Sequence, residues 1–338
     1  MSSKYTVKRS RFDEIIGKFS QKKIMIVGDV GVDRYTIGTA SRLSPEAPVP
    51  VVAVHSVKDK LGMAANVADN IKSFGAIPYL TSMIGKDRIG EELHALLKEN
   101  KIINDYVFPH SSRRTSLKER VIAQQQQVVR IDHEITEALN SEAEDFFLEK
   151  ATKLLQQFDA VILEDYAKGL LTDNVARGII SAAQRAGKFI AVDPTTVVRS
   201  PATYKGVSLF KPNANEAEKL TGVEIRNEKT LYEAGNVLLQ EIDAPIVIIT
   251  RGKDGMTIFT KNTKALHIPT FARSVYDVSG AGDTVIAMLT LAHISGASIE
   301  ESALLANFAA GVEVGKQGTA TVSIQELEEY MQALGGFA

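Results

Sequence analysis

The octapeptide 277–284 (Asp-Val-Ser-Gly-Ala-Gly-Asp-Thr) joins a glycine-rich turn to a carboxylate, directly before an apolar run of helix-forming residues. If that run is a helix, the backbone N–H groups of Gly280, Ala281 and Gly282 are free at its N-terminus, where the helix dipole favours an anion. Asp283 lies beside the same point and can accept a proton from an attacking hydroxyl. The pattern predicts phosphoryl transfer to an alcohol, with Asp283 as an ionised base of low pKa. A solvent-exposed turn with an aspartate near a helix N-terminus is the alternative interpretation.

The elements that must position this turn follow an alternating pattern. Apolar runs of strand length occur at 23–27, 160–163, 189–192 and 246–249, and helical stretches at 64–74, 173–186, 216–221 and 230–239; the C-terminal third is mostly helical from 281 to about 331. Buried strands joined by helices predict a three-layer α/β/α domain over 1–338 with a mostly parallel sheet. Ligands of such sheets bind beyond the carboxyl ends of the strands.

Two stretches break the alternation of strands and helices. Residues 35–57 contain three prolines and then alternating valines, and residues 106–131 contain short strand-like runs. We predict that both are β insertions outside the main sheet.

Composition narrows the class of protein. The net charge of −2 does not favour a nucleic-acid partner or an anionic membrane surface. The 338 residues include no cysteine, which excludes disulfides and thiolate chemistry and is typical of a reducing compartment. The N-terminus has no signal-peptide pattern and no run reaches membrane-spanning length, so we expect a cytoplasmic protein. The six histidines lack metal-ligand spacing.

The octapeptide 277–284 resembles the C-terminal signature of the ribokinase-like (PfkB-type) carbohydrate kinases, and the resemblance runs from about Ile24 to Val322. Three further motifs resemble the D-glycero-D-manno-heptose 7-phosphate kinases within that family: Ser-Arg-Leu-Ser-Pro-Glu-Ala-Pro-Val-Pro-Val-Val at 41–52, Asp-Tyr-Ala-Lys-Gly at 165–169 and Gly-Val-Glu-Val-Gly-Lys at 311–316. The resemblance implies a freestanding kinase that uses ATP and Mg²⁺ to phosphorylate the anomeric hydroxyl of the heptose. It also implies a β lid over the sugar and a homodimer formed through that lid, and it leaves open a monovalent-cation requirement.

The resemblance assigns nucleotide-binding residues as well. Asn213 and Glu216 match an Asn-x-x-Glu motif that organises Mg²⁺ and its waters, so Glu216 is expected to reach the metal through water. Helix capping is the alternative for this pair. Thr250 and Gly252, in a predicted turn after a strand, match nucleotide contacts, and Asn307 matches a position near the adenine.

Candidate substrate-binding residues follow the first strand, open the next helix, or lie after the strand at 160–163: Asp29, Asp33, Gly62, Asn66, Asp165 and Lys168. Arg130, in the second insertion, is a candidate for a phosphate on the acceptor, and an ordinary exposed arginine is its alternative. Two positions depart from the resemblance, because Met63 stands where a second glycine is usual and Thr195 where a lysine is usual. These departures favour a kinase for another sugar or sugar phosphate as the runner-up. A catalytically silent sugar-binding protein on the same fold is the competitor from another class.

Overall fold

The first strand of the computed structural model shows how the layers arise. The model describes residues 5–124, 126–195, 200–261, 263–316 and 318–338. In β1 (Lys23–Gly28), Ile24 and Ile26 are buried in one hydrophobic core, whereas Met25 and Val27 are buried in a second core. A strand that is apolar on both faces requires cover on both sides, and helices supply it.

One helix precedes β1, and after β1 strands and helices alternate except where two or three strands, or two or three helices, follow one another. The further strands are β2 (Val30–Leu43), β3 (Pro50–Met63), β4 (Ile77–Gly85), β5 (Ile103–His110), β6 (Ser116–Ala123), β7 (Gln126–His133), β8 (Ala160–Glu164), β9 (Phe189–Asp193), β10 (Leu209–Phe210), β11 (Ile246–Thr250), β12 (Met256–Thr260) and β13 (Leu266–Ile268). The helices are α1 (Arg9–Ile16), α2 (Ala64–Ser73), α3 (Arg88–Glu99), α4 (Ser141–Lys153), α5 (Asp173–Arg185), α6 (Ala214–Thr221), α7 (Glu228–Glu241), α8 (Ala281–Ile294), α9 (Ile299–Glu313) and α10 (Ile324–Ala333).

Within the described ranges, the larger sheet has nine strands in the order β13-β12-β11-β10-β9-β8-β1-β4-β5. The strands from β11 to β5 are parallel, and β12 and β13 add antiparallel pairs at one edge. Helices α2, α3, α8, α9 and α10 contribute to one core, and α4 to α7 contribute to the other. The predicted three-layer arrangement with a mostly parallel sheet is confirmed, and the carboxyl ends of the parallel strands meet at one edge.

As far as the chain is described, a second, smaller sheet has four strands in the order β3-β2-β6-β7. The predicted bounds of its insertions were too narrow at 35–57, because β2 starts at Val30 and β3 continues to Met63. The insertion predicted at 106–131 starts too early, since Tyr106 belongs to β5, which pairs with β4 in the larger sheet. The border before β2 is hard to predict because a single residue, Asp29, separates β1 from β2, so no loop marks the passage from one sheet to the other.

Helix α8 is apolar on all sides, and nine of its residues, 284–292, are buried. It packs against α2 and α9 and lies under β8 and β9. A helix enclosed in this way can hold its N-terminus in a fixed place. Among the described residues, no helix combines the length and apolar character needed to cross a bilayer.

Candidate active site

A cavity of about 760 Å³ opens at the carboxyl ends of the parallel strands. Its wall is formed by residues that end or follow β8, β9, β10 and β11, by the start of α8, and by one residue of the smaller sheet: among others Glu164, Asp165, Tyr166, Asp193, Lys211, Thr250, Gly282, Asp283 and Lys118. The predicted phosphoryl-transfer turn therefore lies in the wall of this cavity.

The turn before α8 depends on a glycine. Gly280 has φ 96°, a left-handed conformation that a residue with a Cβ adopts only with strain. A Cβ there would also lie 3.0 Å from Asn66 Nδ2 and 3.2 Å from Glu313 Oε1. Within the described ranges, the backbone N–H groups of Gly282 and Asp283 have no hydrogen-bond acceptor, and that of Ala281 donates to Val278 O over a long distance of 3.4 Å. The turn thus presents backbone donors to the cavity, where the helix dipole adds positive potential.

Asp283 is held by hydrogen bonds to both of its carboxylate oxygens. Asn66 Nδ2 donates to Oδ2 at 2.6 Å, and Tyr166 Oη donates to Oδ1 at 2.7 Å. Burial raises the pKa of Asp283 to about 6, although the two donors act in the opposite direction. The low pKa expected from the helix dipole alone is therefore wrong, because loss of solvent outweighs the dipole. Asp283 is still mostly ionised at neutral pH, and its higher pKa makes it a better proton acceptor.

Asp33 and Gly62, two residues predicted to bind the sugar, lie close together in neighbouring strands of the smaller sheet, although neither is among the residues that line the cavity. A Cβ on Gly62 would lie 3.1–3.3 Å from the Asp33 carboxylate, so a glycine lets the two strands approach closely there. Arg120 Nη1 donates to Asp33 Oδ1 at 2.8 Å, a contact that the sequence analysis did not anticipate. The next residue, Met63, has φ 60° and ψ −137° and is buried, so the position where the resemblance expects a glycine carries backbone strain.

Asp29, a predicted substrate-binding residue, has a different role in the structure. Its carboxylate accepts from Arg113 Nη2 at 3.2 Å and from the amides of Lys168 and Leu170 at 3.0 and 3.2 Å. It is 2% exposed and does not line the cavity. Asp29 therefore shapes the loop after β8, and the prediction that it contacts substrate is corrected. Although it directly follows the end of β1, its side chain is buried against that loop and does not reach the cavity.

The loop after β8 brings Asp165 and Lys168 to the cavity wall. Asp165 accepts from Tyr204 Oη at 2.6 Å and from the Ala167 amide at 2.9 Å. Lys168 Nζ forms an ion pair with Glu134. Both residues thus line the cavity, and both side chains already have partners.

Arg130 is not brought to the cavity. It lies in the edge strand β7, its side chain is 51% exposed, and it makes two bonds to Asp132 at 2.9 and 3.0 Å. The prediction that Arg130 binds the acceptor directly is corrected, because a neighbouring carboxylate on the same strand takes up its guanidinium.

At the other end of the cavity, Asn213 and Glu216 form a reciprocal capping box at the start of α6. Glu216 also lines the cavity, so capping and ligand binding are compatible here. Burial, together with repulsion from Asp193, raises the pKa of Glu216 to about 7. Thr250 and Gly252 line the same wall. Asn307 lines it too, but its amide binds the backbone at Phe271 N and Pro269 O, which indicates that it shapes the loop 269–271.

Lys211, which the sequence analysis missed, is a buried cation beneath the turn. Its Nζ lies 2.7 Å from Asp193 Oδ2, and both atoms lie 3.7 Å from where a Cβ on Gly282 would be. Burial alone would lower the pKa of Lys211, but the Asp193 and Glu216 carboxylates raise it. The signal available in the sequence was a lysine directly after the end of a strand. Thr195 lines the same wall of the cavity.

Three carboxylates at this point also fit a divalent cation. One oxygen from each of Glu164, Asp193 and Asp283 lies within 4.8 Å of the others. Glu164 is 1% exposed and its Oε1 has no partner among the described residues. Burial raises the pKa of Glu164 well above its usual range. An all-oxygen donor set with an unsatisfied carboxylate oxygen is suited to Mg²⁺.

Comparisons with known proteins agree with this geometry. The sequence model of the pfkB family carbohydrate kinases matches residues 21–326. Proteins named bifunctional protein HldE are similar: that of Sulfurimonas denitrificans is 40% identical over 312 residues and that of Haemophilus influenzae is 40% identical over 318 residues. These alignments cover 92% and 94% of this chain, and 65% of each relative. The chain thus spans about two thirds of the length of these curated relatives.

Solved structures show the fold. Arabidopsis thaliana ribokinase complexed with ribose and ATP aligns with a TM-score of 0.73 at 18% identity, covering 92% of this chain and 99% of that one. Escherichia coli phosphofructokinase-2 in complex with potassium aligns with a TM-score of 0.74 at 20% identity, covering 93% and 99%. The architecture is ribokinase-like.

Proposed function

Because the chain belongs to the pfkB family of carbohydrate kinases, we propose that it transfers the γ-phosphoryl group of ATP to the anomeric hydroxyl of D-glycero-D-manno-heptose 7-phosphate, which gives the 1,7-bisphosphate. The family makes it a phosphotransferase with a sugar alcohol group as acceptor. The heptose acceptor is supported by the three motifs at 41–52, 165–169 and 311–316 and by the relatives named HldE.

The observation that carries the proposal is the position of Asp283. A carboxylate with a pKa of about 6, fixed by Asn66 and Tyr166, lies beside free amides at the N-terminus of the buried helix α8. The base and the anion site are therefore built at one point, as phosphoryl transfer to an alcohol requires.

In the proposed reaction, Asp283 accepts the proton of the anomeric hydroxyl while the anomeric oxygen forms a bond to the γ-phosphorus. The bond between the γ-phosphorus and the bridging oxygen of ADP breaks, and ADP leaves. The amides of Gly280, Ala281 and Gly282 stabilise charge on the transferred group. Lys211, beneath Gly282, adds a fixed positive charge. Phosphoryl transfer depends mainly on such positioning and electrostatic stabilisation.

Mg²⁺ is proposed as a cofactor with ATP. Glu164 and Asp193 would hold it, and Glu216 would reach it through water. The bound ion would neutralise phosphate charge and orient the transferred group. A monovalent cation is a further proposed cofactor, which the potassium in the phosphofructokinase-2 structure supports.

The two ends of the cavity divide the substrates. Thr250, Gly252 and Asn213 face the proposed nucleotide side, and Asn307 keeps the wall there in shape. On the sugar side, Asp33 and Asn66 are proposed to bind hydroxyls, with Gly62 allowing close approach, and Asp165 and Lys168 are proposed to contact the acceptor from the cavity wall.

We propose a homodimer through the lid. The face of the smaller sheet that points away from the cavity carries Val54, Val57, Val129 and Ile131, which are 41–54% exposed. An apolar surface of this kind is stabilised by a partner, and a second copy offers a matching sheet. The enzyme is proposed to act in the cytoplasm, where ATP is supplied.

The test is ATP consumption across a panel of sugars and sugar phosphates that includes heptose 7-phosphate. Preference for heptose 7-phosphate is the expected result. Met63 and Thr195 favour a second candidate, a kinase for another sugar, and preference for a different acceptor would select it. If no acceptor on the panel supports ATP turnover, the heptose proposal is contradicted. A sugar that binds without turnover would point to the silent sugar-binding protein.

A further inference from the structure

The cations that line the cavity differ in whether they are already paired. Among the described residues, the Lys168 ammonium is paired with Glu134 and the Lys211 ammonium with Asp193, whereas the ammonium groups of Lys118 and Lys253 make no ion pair or hydrogen bond. Lys253 follows β11, on the nucleotide side. Lys118 is in β6 and is the one residue of the smaller sheet, as far as it is described, that lines the cavity. An unpaired cation facing a cavity is available to an anionic ligand.

The register of the strands around Lys118 explains why its ammonium group has no ion-pair partner. Its register partners are Asp33 in β2 and Asp132 in β7, so a carboxylate lies beside it on each neighbouring strand. Directly opposed side chains of neighbouring strands are about 5 Å apart at Cβ, close enough for either carboxylate to form an ion pair with the lysine.

Both carboxylates are instead bound by arginines two residues along. Arg120 donates to Asp33 at 2.8 Å, and Arg130 makes two bonds to Asp132. Arg120 and Arg130 are themselves opposed in the register, on the same face as Lys118. The guanidinium groups match the fork of a carboxylate better than an ammonium does, so they hold these partners in preference to the lysine.

Resting on the proposed function, we propose that Lys118 binds the phosphate that the acceptor already carries, and that Arg120 and Arg130 keep it available by neutralising Asp33 and Asp132. Lys118 is then a specificity-determining residue for phosphorylated acceptors. Arg130 is a positioning residue that acts through Asp132 and does not touch the substrate.

The first test compares Lys118→Met with Lys253→Met. Methionine keeps much of the side-chain length and removes the charge. Lys118→Met should raise KM for heptose 7-phosphate roughly ten- to a hundredfold, with kcat and the KM for ATP within about twofold of the wild type. The KM for the same heptose without its phosphate should not move. Lys253→Met, the matched control on the nucleotide side, should act on the KM for ATP instead.

The second test is a double-mutant cycle on Arg130 and Asp132. Arg130→Ala frees Asp132 to pair with Lys118, so KM for the phosphorylated acceptor should rise by up to about fivefold, the scale of an exposed ion pair. Adding Asp132→Asn to Arg130→Ala should return KM toward the wild type, because the competing charge is gone. If the double variant stays as weak as Arg130→Ala, Arg130 contacts the phosphate itself and the positioning account is wrong.

The outcomes separate this inference from the proposed function. A wild-type enzyme that accepts heptose 7-phosphate while Lys118→Met keeps its KM overturns the inference alone. A wild-type enzyme that uses only unphosphorylated sugars overturns the heptose 7-phosphate proposal, and the role of Lys118 falls with it.

Discussion

Replacing Tyr166 by phenylalanine should move the pH dependence of the reaction. Tyr166 Oη donates to Asp283 Oδ1 at 2.7 Å, and burial raises the pKa of Tyr166 well above its usual value, so it remains a neutral donor. The donor stabilises the ionised form of Asp283, and phenylalanine removes it while the ring still fills the same space. The pKa of Asp283 must therefore rise.

The size of the shift follows from the strength of the bond. A hydrogen bond to a charged group is worth about 1.5–3 kcal/mol, and one pKa unit corresponds to about 1.4 kcal/mol, so the pKa should rise by about one to two units. Asp283 must be ionised to accept the proton, so activity is lost as the pH falls through this pKa. From a starting value of about 6, the acid limb moves toward neutral pH, and kcat/KM at pH 7 should drop roughly two- to tenfold.

The assay is kcat/KM measured from about pH 5 to pH 9 by direct quantification of product, which avoids coupling enzymes with their own pH dependence. Tyr204→Phe is the matched control, because Tyr204 donates to Asp165 in the same cavity wall. Its acid limb should stay where the wild type has it. An unmoved acid limb in Tyr166→Phe, or an equal shift in both variants, would refute the role of this bond in setting the pKa of Asp283.

Three further predictions concern the base, the turn and the lid. Asp283→Asn should lower turnover by roughly a hundredfold or more. Burial raises the pKa of Asp283 from 3.8 to about 6, so its contribution to the stability of the fold is present at low pH and is lost as the pH rises to about 6. Asp283→Asn removes the buried charge and should therefore raise the melting temperature at neutral pH, and a lower melting temperature would contradict this. Gly280→Ala should abolish most activity. Gly75, the control, has φ 89° and no atom within 4 Å of its Cβ position, so Gly75→Ala should cost about 1–2 kcal/mol of stability and leave turnover near the wild type. An equal loss of turnover in both variants would assign the effect to backbone strain alone. Sugar binding should slow hydrogen exchange at 30–63 and 116–133 as the lid closes, and unchanged exchange in both would remove the lid role.

The sequence was sufficient for the parts of the fold that depend on local pattern. Apolar runs such as 23–27 and 160–163 have one stable setting in an α/β protein, between two layers of helices, so the sheet could be predicted. The turn at Gly280 could be predicted because only glycine suits its backbone. The border of the smaller sheet could not, since β2 starts at Val30, one residue after β1 ends, and no loop separates the two strands.

The site required knowledge of contacts between distant parts of the chain. The pKa of Asp283 depends on its burial and on Asn66 and Tyr166, each more than a hundred residues away in sequence. Arg130 was overestimated because its ion pair with Asp132 is invisible until the strand is built. Lys211 was overlooked because a buried lysine looks like any other before its partner Asp193 is in place.

The length of β2 and β3 converts a small rotation at the base of the smaller sheet into a large displacement at its far end. β2 and β3 each have 14 residues, and at about 3.3 Å per residue each arm is about 46 Å long. Both arms are rooted in the core beside Met63, whose strained backbone resists rotation about the base of the lid. A turn of about 5° at that root would carry the far end through about 4 Å, by the geometry of a rigid arm of this length. Small rotations near Asp33 and Gly62 are thereby converted into larger displacements at the far end of the two strands.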